Sequence, residues 1–155
     1  MPPLDLDDFD RRILRLLQQD ATLSTQDLAQ AVGLSPSPCW RRVRRMQEAG
    51  LISGQVALVN RAALGLSALA YIHVTLIDHT EASIARFNDF VQRHPQIVEC
   101  ATITGADDYM LKVVAEGPEA LEHFLMREML ALGLVRSSTT HFALRQVKLT
   151  TALPV

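Results

Sequence analysis

Apolar positions near the start of the chain recur at helical spacing. Leu6, Phe9, Ile13, Leu16 and Leu17 fall on one face, while Arg11, Arg12, Arg15 and Gln18 fall on the other, the pattern of a helix with one buried stripe. Asp5 or Asp7 is placed to cap it, and early acids suit the positive end of the helix dipole. A second start signal stands at Ser24-Thr25-Gln26-Asp27. There Ser24 can accept from the N–H three residues on, and Asp27 can reach back to the cap. Leu28, Ala29 and Val32 give a short apolar stripe, and Gly33 sits where a glycine ends a helix. A third helix opens within Leu34-Ser35-Pro36-Ser37-Pro38, since proline is tolerated in a first turn. Because Pro38 disfavours a helical residue before it, Ser37 is the expected N-cap and Ser35 the alternative. Cys39, Val43 and Met46 then recur at i, i+4 and i+7 and are expected inward, which leaves Ser37, Trp40, Arg41, Arg44 and Arg45 outside. Ala49-Gly50-Leu51-Ile52 ends this helix, and an extended stretch through Val59 is expected to act as wing and linker.

The period changes in the second half. Leu69 to Leu76 reads as a strand, and Glu81 to Arg93 as a helix with Ile84, Phe87, Phe90 and Val91 inward, stopped by His94-Pro95. Ile97 to Thr104 and Tyr109 to Ala115 read as a hairpin around Gly105-Ala106-Asp107-Asp108. Pro118 opens a last helix, ending near Leu132-Gly133 and burying Leu121, Phe124, Leu125 and Met129. Ser137 to Leu144 is the last strand, and Gln146 to Leu149 continues extended. The order β-α-β-β-α-β is that of a ferredoxin-like split unit, with an antiparallel sheet and both helices on one face. The expected class is therefore α+β, a winged helix-turn-helix joined to a ferredoxin-like domain: the three helices of the DNA-binding domain over residues 1–52, its wing, linker strand and hinge over 53–66, and a ferredoxin-like effector-binding and oligomerisation domain over 67–155. The sheet face without helices calls for a second copy to cover it, so at least a dimer is expected.

Charge sharpens the reading of the first half. The net charge of −2 argues against nucleic acid, but its distribution does not: Arg41, Arg42, Arg44 and Arg45 stand against Glu48 alone between Ser35 and Gly50. A basic stripe on an acidic body is an electrostatic footprint for DNA, although runs of arginine also occur as plain solvated helix faces. A tight helix pair whose second helix is basic outside is a helix-turn-helix. Its arginines can pair with guanine edges, and its serines and terminal amides with phosphate. Thr25, Gln26, Ser35, Ser37, Trp40, Arg41, Arg44 and Arg45 are the candidate DNA contacts. Trp40 packs in the core or faces DNA; the pattern alone leaves both open. Cys39 reads as a small core residue rather than a redox sensor.

Composition bounds the rest. With 48% hydrophobic and 21% charged residues the 155-residue chain can bury a core. No basic-then-apolar leader and no run of roughly 20 apolar residues is present, so neither secretion nor a membrane span is expected. Two well-separated cysteines suit a reducing cytoplasm. An enzyme on the same fold is the first rival. His73, His79, His94, His123 and His141 are its natural bases, yet none stands at metal-ligand spacing, and no nucleophile motif or phosphate loop appears. We therefore expect no enzyme, no metal and no cofactor.

Leu6 to Leu14 (LDDFDRRIL), Val32 to Val43 (VGLSPSPCWRRV), Gly50-Leu51-Ile52, Gly105-x-x-Asp108-Tyr109, Ser138-x-Thr140 and Val147-Lys148 together resemble the Lrp/AsnC family of regulators along nearly the whole chain. The resemblance implies sequence-specific binding to pseudo-palindromic double-stranded DNA, and dimers assembling to tetramers or octamers. It also implies a location in the cytoplasm at the nucleoid and an amino-acid effector lodged between regulatory domains. Carried over by position, Gly105, Ala106, Asp108 and Tyr109 would line the effector pocket, Asp108 meeting the ammonium, while Ser138 and Thr140 hold the effector backbone. The plainer reading is that Gly105 and Asp108 only shape a tight hairpin. Many members carry Asp where this chain has Ala106, which departs from leucine-like sensing. Trp40 and the ending Gln146 to Pro154 look more like a cysteine-responsive branch, so cysteine or another small amino acid is the expected effector. The alternative is a nucleoid-type architectural DNA-binding protein without an amino-acid effector.

Overall fold

A computed structural model describes residues 4–155. The chain forms two compact units: one runs to Leu58 and takes in Lys148–Val155, and the other spans Val59–Val147. No helix among the described residues is long and apolar enough to cross a membrane.

The first unit is built on α1 (Asp8–Leu17), α2 (Thr25–Val32) and α3 (Pro36–Glu48). Asp7 caps α1 and accepts from the Asp10 N–H, while the Asp10 carboxylate accepts from the Asp7 N–H, a reciprocal capping box. Ser24 caps α2 by accepting from the Asp27 N–H. Asp27 reaches back as expected, but to the Ser24 hydroxyl rather than to its backbone. Gly33 ends α2 in the left-handed region at φ 77°, which glycine adopts at little cost and lets the chain turn directly into α3. Ile13, Leu14, Leu28, Ala29, Val32, Cys39 and Met46 interlock between the three helices.

Two expectations change here. The N-cap of α3 is Ser35, not Ser37, and the first helical bond runs from the Cys39 N–H to the Ser35 carbonyl. The first N–H groups of a helix have no intrahelical acceptor, so Pro36 and Pro38 both fit the first turn without losing a bond. That outweighs the bias of Pro38 against a helical Ser37. Residues 53–60 form neither helix nor strand, so the wing strand expected there joins no ladder among the described residues.

By their contacts, residues Lys148–Val155 group with the three-helix unit. The Gln18 carboxamide donates to the Leu153 carbonyl at 3.1 Å and accepts from the Leu153 N–H at 2.6 Å. Arg15 Nε donates to the Val155 carbonyl at 2.6 Å, and Val155 packs against the helical core. Gln18→Ala removes a two-point backbone clasp of exposed hydrogen bonds, each worth about 0.5–1.5 kcal/mol. We expect the tail amides of Ala152, Leu153 and Val155 to exchange faster with solvent deuterium in this variant, while α2 amides keep their protection.

The second unit runs β1 (Ala68–Leu76), α4 (Glu81–Arg93), β2 (Ile97–Thr102), β3 (Tyr109–Ala115), α5 (Pro118–His123) and β4 (Val135–Phe142). The sheet is antiparallel throughout, in the order β2-β3-β1-β4. Ala70, Ile72, Val74 and Leu76 of β1 and Leu111 and Val113 of β3 meet Phe87 and Phe90 of α4 and Leu121, Phe124 and Met129 from the last helical segment. Both helices thus cover one face. Beyond His123 the last helix does not continue as α: Phe124–Met129 is a π turn and Leu130–Leu132 a 3-10 turn. The wider turn brings Phe124 and Met129, five residues apart, into the same core. The strand β2 stops at Thr102, two residues earlier than expected, because Ile103 N–H bonds to the Asp108 carbonyl at 3.0 Å and closes the turn. The strand β4 begins and ends two residues earlier than the Ser137–Leu144 pattern, matching Leu76 to Ala70 of β1.

The uncovered sheet face is more polar than expected. By register it carries Tyr71, His73 and Thr75 of β1, flanked by Met110 and Lys112 of β3 and by Thr139 and His141 of β4. Lys112 is also 4.0 Å from Glu99 on β2.

Candidate functional site

The stripe α3 presents outward is set by what anchors its inward face. Cys39 and Met46 are fully buried, and burial pushes the Cys39 thiol pKa up, which leaves it unreactive. A second anchor is ionic. The Asp10 carboxylate has no solvent exposure and receives Arg42 Nη1 at 2.9 Å and Arg45 Nη2 at 2.5 Å. Arg42 also reaches Asp7 at 2.7 Å and lies over the Phe9 ring. The Asp7 carboxyl is held below the usual range, first by the Asp10 N–H and then by Arg42. Asp10 of α1 and Asp7 at its cap therefore clamp two arginines of α3.

Ser37, Trp40, Arg41, Arg44 and Arg45 are exposed, as are Thr25 and Gln26 at the start of α2 and Ser35 at the cap of α3. Trp40, 48% exposed, stands outside the core. Its ring carries the Arg44 guanidinium, whose carbon lies 5.2 Å from the ring centroid, and Arg44 Nε donates to Glu48 at 2.7 Å. Trp40, Arg41, Arg44, Arg45 and Glu48 line one shallow groove along the helix. Ser35 makes no side-chain cap bond. Arg45 is not a free cation: part of its guanidinium is committed to Asp10, a partner the sequence pattern did not assign. Among the described residues Arg41 has no carboxylate partner.

The hairpin turn of the second unit is pinned on two sides. Gly105 adopts φ 126°, a backbone state that favours glycine. Asp107 accepts from Thr75 Oγ1 at 3.2 Å and contacts His73 Nδ1 at 3.2 Å, both on the uncovered face. Asp108 turns the other way. Its N–H bonds to the Val74 carbonyl, its Oδ2 accepts from the Leu76 N–H at 2.8 Å, and its Oδ1 lies 2.9 Å from His79 Nε2. The Leu76 bond falls where the β1–β4 register shifts between Thr75 and Leu76, so the carboxylate satisfies the amide that the irregularity would orphan. The Leu76 N–H, then His79, hold the Asp108 carboxyl below the ordinary value of 3.8. The sequence pattern places Asp107 in the turn and His79 among possible bases, but nothing local in it pairs Asp107 with His73 and Thr75 or His79 with Asp108.

Tyr109 is buried with its ring 4.7 Å from Phe87. Val74 pairs with Tyr109 on one side and Ser138 on the other, and Ile72 pairs with Thr140. Within one chain β1 therefore separates Ser138 and Thr140 from the turn of Gly105, Ala106 and Asp108. Among the described residues no group of three or more His, Cys, Asp or Glu is placed to hold a metal ion.

Residues 6–53 match the winged helix-turn-helix DNA-binding family, and residues 69–153 match the Lrp/AsnC ligand binding domain. The chain is 35% identical over 150 residues to the DNA-binding transcriptional activator DecR of Escherichia coli K12, covering 97% of this chain and 99% of that one. It is 37% identical over 147 residues to the leucine-responsive regulatory protein of the same organism, covering 95% and 90%. A transcriptional regulator from Neisseria meningitidis, solved in complex with L-Met, superposes with a TM-score of 0.93 at 31% identity, covering 97% of each chain. These relatives are transcriptional regulators, and they align along almost the whole length. A basic helix-turn-helix reader followed by a ferredoxin-like unit, matched end to end in this way, shows that the chain belongs to the Lrp/AsnC family of DNA-binding transcription regulators.

Proposed function

We propose that α3 lies in the major groove of a pseudo-palindromic site, with Trp40, Arg41, Arg44 and Arg45 toward the DNA and Thr25, Gln26, Ser35 and Ser37 at the phosphates. The observation that carries this is the outward cationic stripe on a helix whose other face is fixed by Cys39, Met46 and the Asp10 clamp. Two copies place two readers one helical turn apart, which gives a small reader its affinity. The division of labour is a reader through residue 52, a hinge over 53–66 and a regulatory domain from residue 67, with the tail returning to the reader's unit. Such a protein acts by binding rather than by catalysis, in the cytoplasm at the nucleoid.

The effector is a small amino acid held between regulatory domains of different copies. Ser138 and Thr140 of one copy meet the Gly105–Tyr109 turn of another, because β1 keeps them apart within one chain. A zwitterion needs acceptors for its ammonium and donors for its carboxylate, and the turn carbonyls and the β4 hydroxyls supply both kinds. Asp108 is tied to the Leu76 N–H and to His79, so it acts on the effector first through the shape of the turn, while its remaining lone pairs can still accept from the ammonium. The same commitment, with Ala106 in place of an acid, favours the second reading, an architectural DNA-binding protein without an effector. Cysteine is the first effector to test, and methionine joins it on the strength of the L-Met complex of the Neisseria relative.

Arg44→Ala tests the reader. On a duplex selected by the wild-type protein from a random pool, we expect a loss of about 1–3 kcal/mol in fluorescence anisotropy titrations, larger than on unrelated DNA. Equal loss on all duplexes would make Arg44 a phosphate contact, and no loss would remove it from the interface.

A further inference from the structure

Trp40, Arg44 and Glu48 stand at i, i+4 and i+8 on the exposed stripe of α3. The Arg44 guanidinium rests on the Trp40 ring and gives its Nε–H to Glu48. An exposed pair of this kind, with side chains 58% and 65% accessible, adds little to folding. A carboxylate on a DNA-facing stripe also repels phosphate. Neither stability nor general DNA affinity explains Glu48.

Orientation does. A guanidinium has five N–H donors in one plane. With Nε–H bound to Glu48 and the guanidinium carbon 5.2 Å from the Trp40 ring centroid, the edge left for a ligand is the one formed by the two terminal nitrogens. That fork matches O6 and N7 of guanine. Arg44 is the one arginine of the stripe held both by a ring and by a carboxylate of its own helix; Arg45 is tied to Asp10, and Arg41 has neither partner among the described residues. Free rotation of a long side chain opposes binding, and the two neighbours remove that freedom before DNA arrives. We propose that Glu48 and Trp40 are positioning residues that hold Arg44 as a preset reader of one guanine, so that Glu48 trades general DNA affinity for discrimination. This rests on the reading of α3 as the DNA-facing helix.

The test uses the full-length protein and the duplex it selects from a random pool, with each guanine replaced in turn by 7-deazaguanine, which lacks the N7 acceptor. Wild type is expected to lose affinity at one guanine per half-site, and Arg44→Ala to lose that sensitivity. In Glu48→Ala the discrimination at that guanine should fall about two- to tenfold, while binding to unrelated DNA strengthens because a repelling charge is gone. Glu48→Gln keeps an oxygen for the Arg44 Nε–H and should keep most of the discrimination. Trp40→Phe should likewise exceed Trp40→Ala. Glu48→Ala with discrimination unchanged at every guanine would overturn the proposal, as would equal loss in the Ala and Gln variants. Failure of the underlying reading looks different: Arg41→Ala and Arg44→Ala would both bind every duplex as wild type does.

Discussion

Asp10→Ala is expected to destabilise the three-helix unit by about 4 kcal/mol, the largest loss of any single substitution considered. Breaking a buried ion pair from one side costs about 3–5 kcal/mol because the partner charges stay behind. Here the carboxylate is fully buried but Arg42 and Arg45 keep 27% and 48% accessibility, so water recovers part of that cost and the lower end applies. The substitution also removes half of the α1 capping box, adding about 1 kcal/mol. Urea titration followed by Trp40 fluorescence measures the first unit directly, since the chain's one tryptophan lies in α3. A midpoint unchanged from wild type would mean the clamp contributes nothing. Asp10→Asn retains an acceptor and should fall between the two.

Asp108→Ala has the second large effect, and it falls on the other unit. The Leu76 N–H loses its acceptor at the register shift, and the turn loses His79. An orphaned buried amide costs about 1–3 kcal/mol. We expect a matching loss of stability in the second unit, loss of response to any amino-acid effector, and retained affinity for DNA. Loss of DNA binding as well would tie the turn to assembly of the reader pair. The lowered pKa sets a sign for acid. A carboxyl depressed on folding stabilises fully above its unfolded value, here 3.8, and that contribution disappears as pH falls below it toward the folded value. Wild type should therefore lose more stability between neutral pH and acid below 3.8 than Asp108→Ala does.

What could be read from the chain beforehand follows the range of the forces involved. Helix α1 and helix α2 were legible from apolar spacing and caps, as was α4, because those signals lie within a few residues of the effect. The hairpin and the β-α-β-β-α-β order were legible for the same reason. The outward placement of Arg41 and Arg44 was implied once Cys39, Val43 and Met46 were put inside. The fate of Trp40 was not, since a helix position between two faces is settled by the shape of the neighbours. Long-range pairs were invisible: Asp10 meets Arg45 across 35 residues, and Gln18 meets Leu153 across 135. Nothing local in either partner names the other. At the start of α3 two local preferences conflict, the restriction before Pro38 and the tolerance of a first turn for proline, and the second wins, so Ser35 is the cap. Asp107 and Asp108 illustrate a limit of another sort. Neighbours in sequence, they point to the open sheet face and to the β1 backbone respectively, and only the twist of the turn separates their roles.

The most direct test of the whole account is one titration series: wild-type protein against its selected duplex, with and without each of the twenty amino acids, followed by anisotropy. One or a few small amino acids, cysteine and methionine first among them, are expected to change the DNA affinity by about 5- to 150-fold, and Asp108→Ala to abolish the change. Affinity unaltered by all twenty, in a protein that binds its duplex tightly, would contradict amino-acid control and leave an architectural DNA-binding protein.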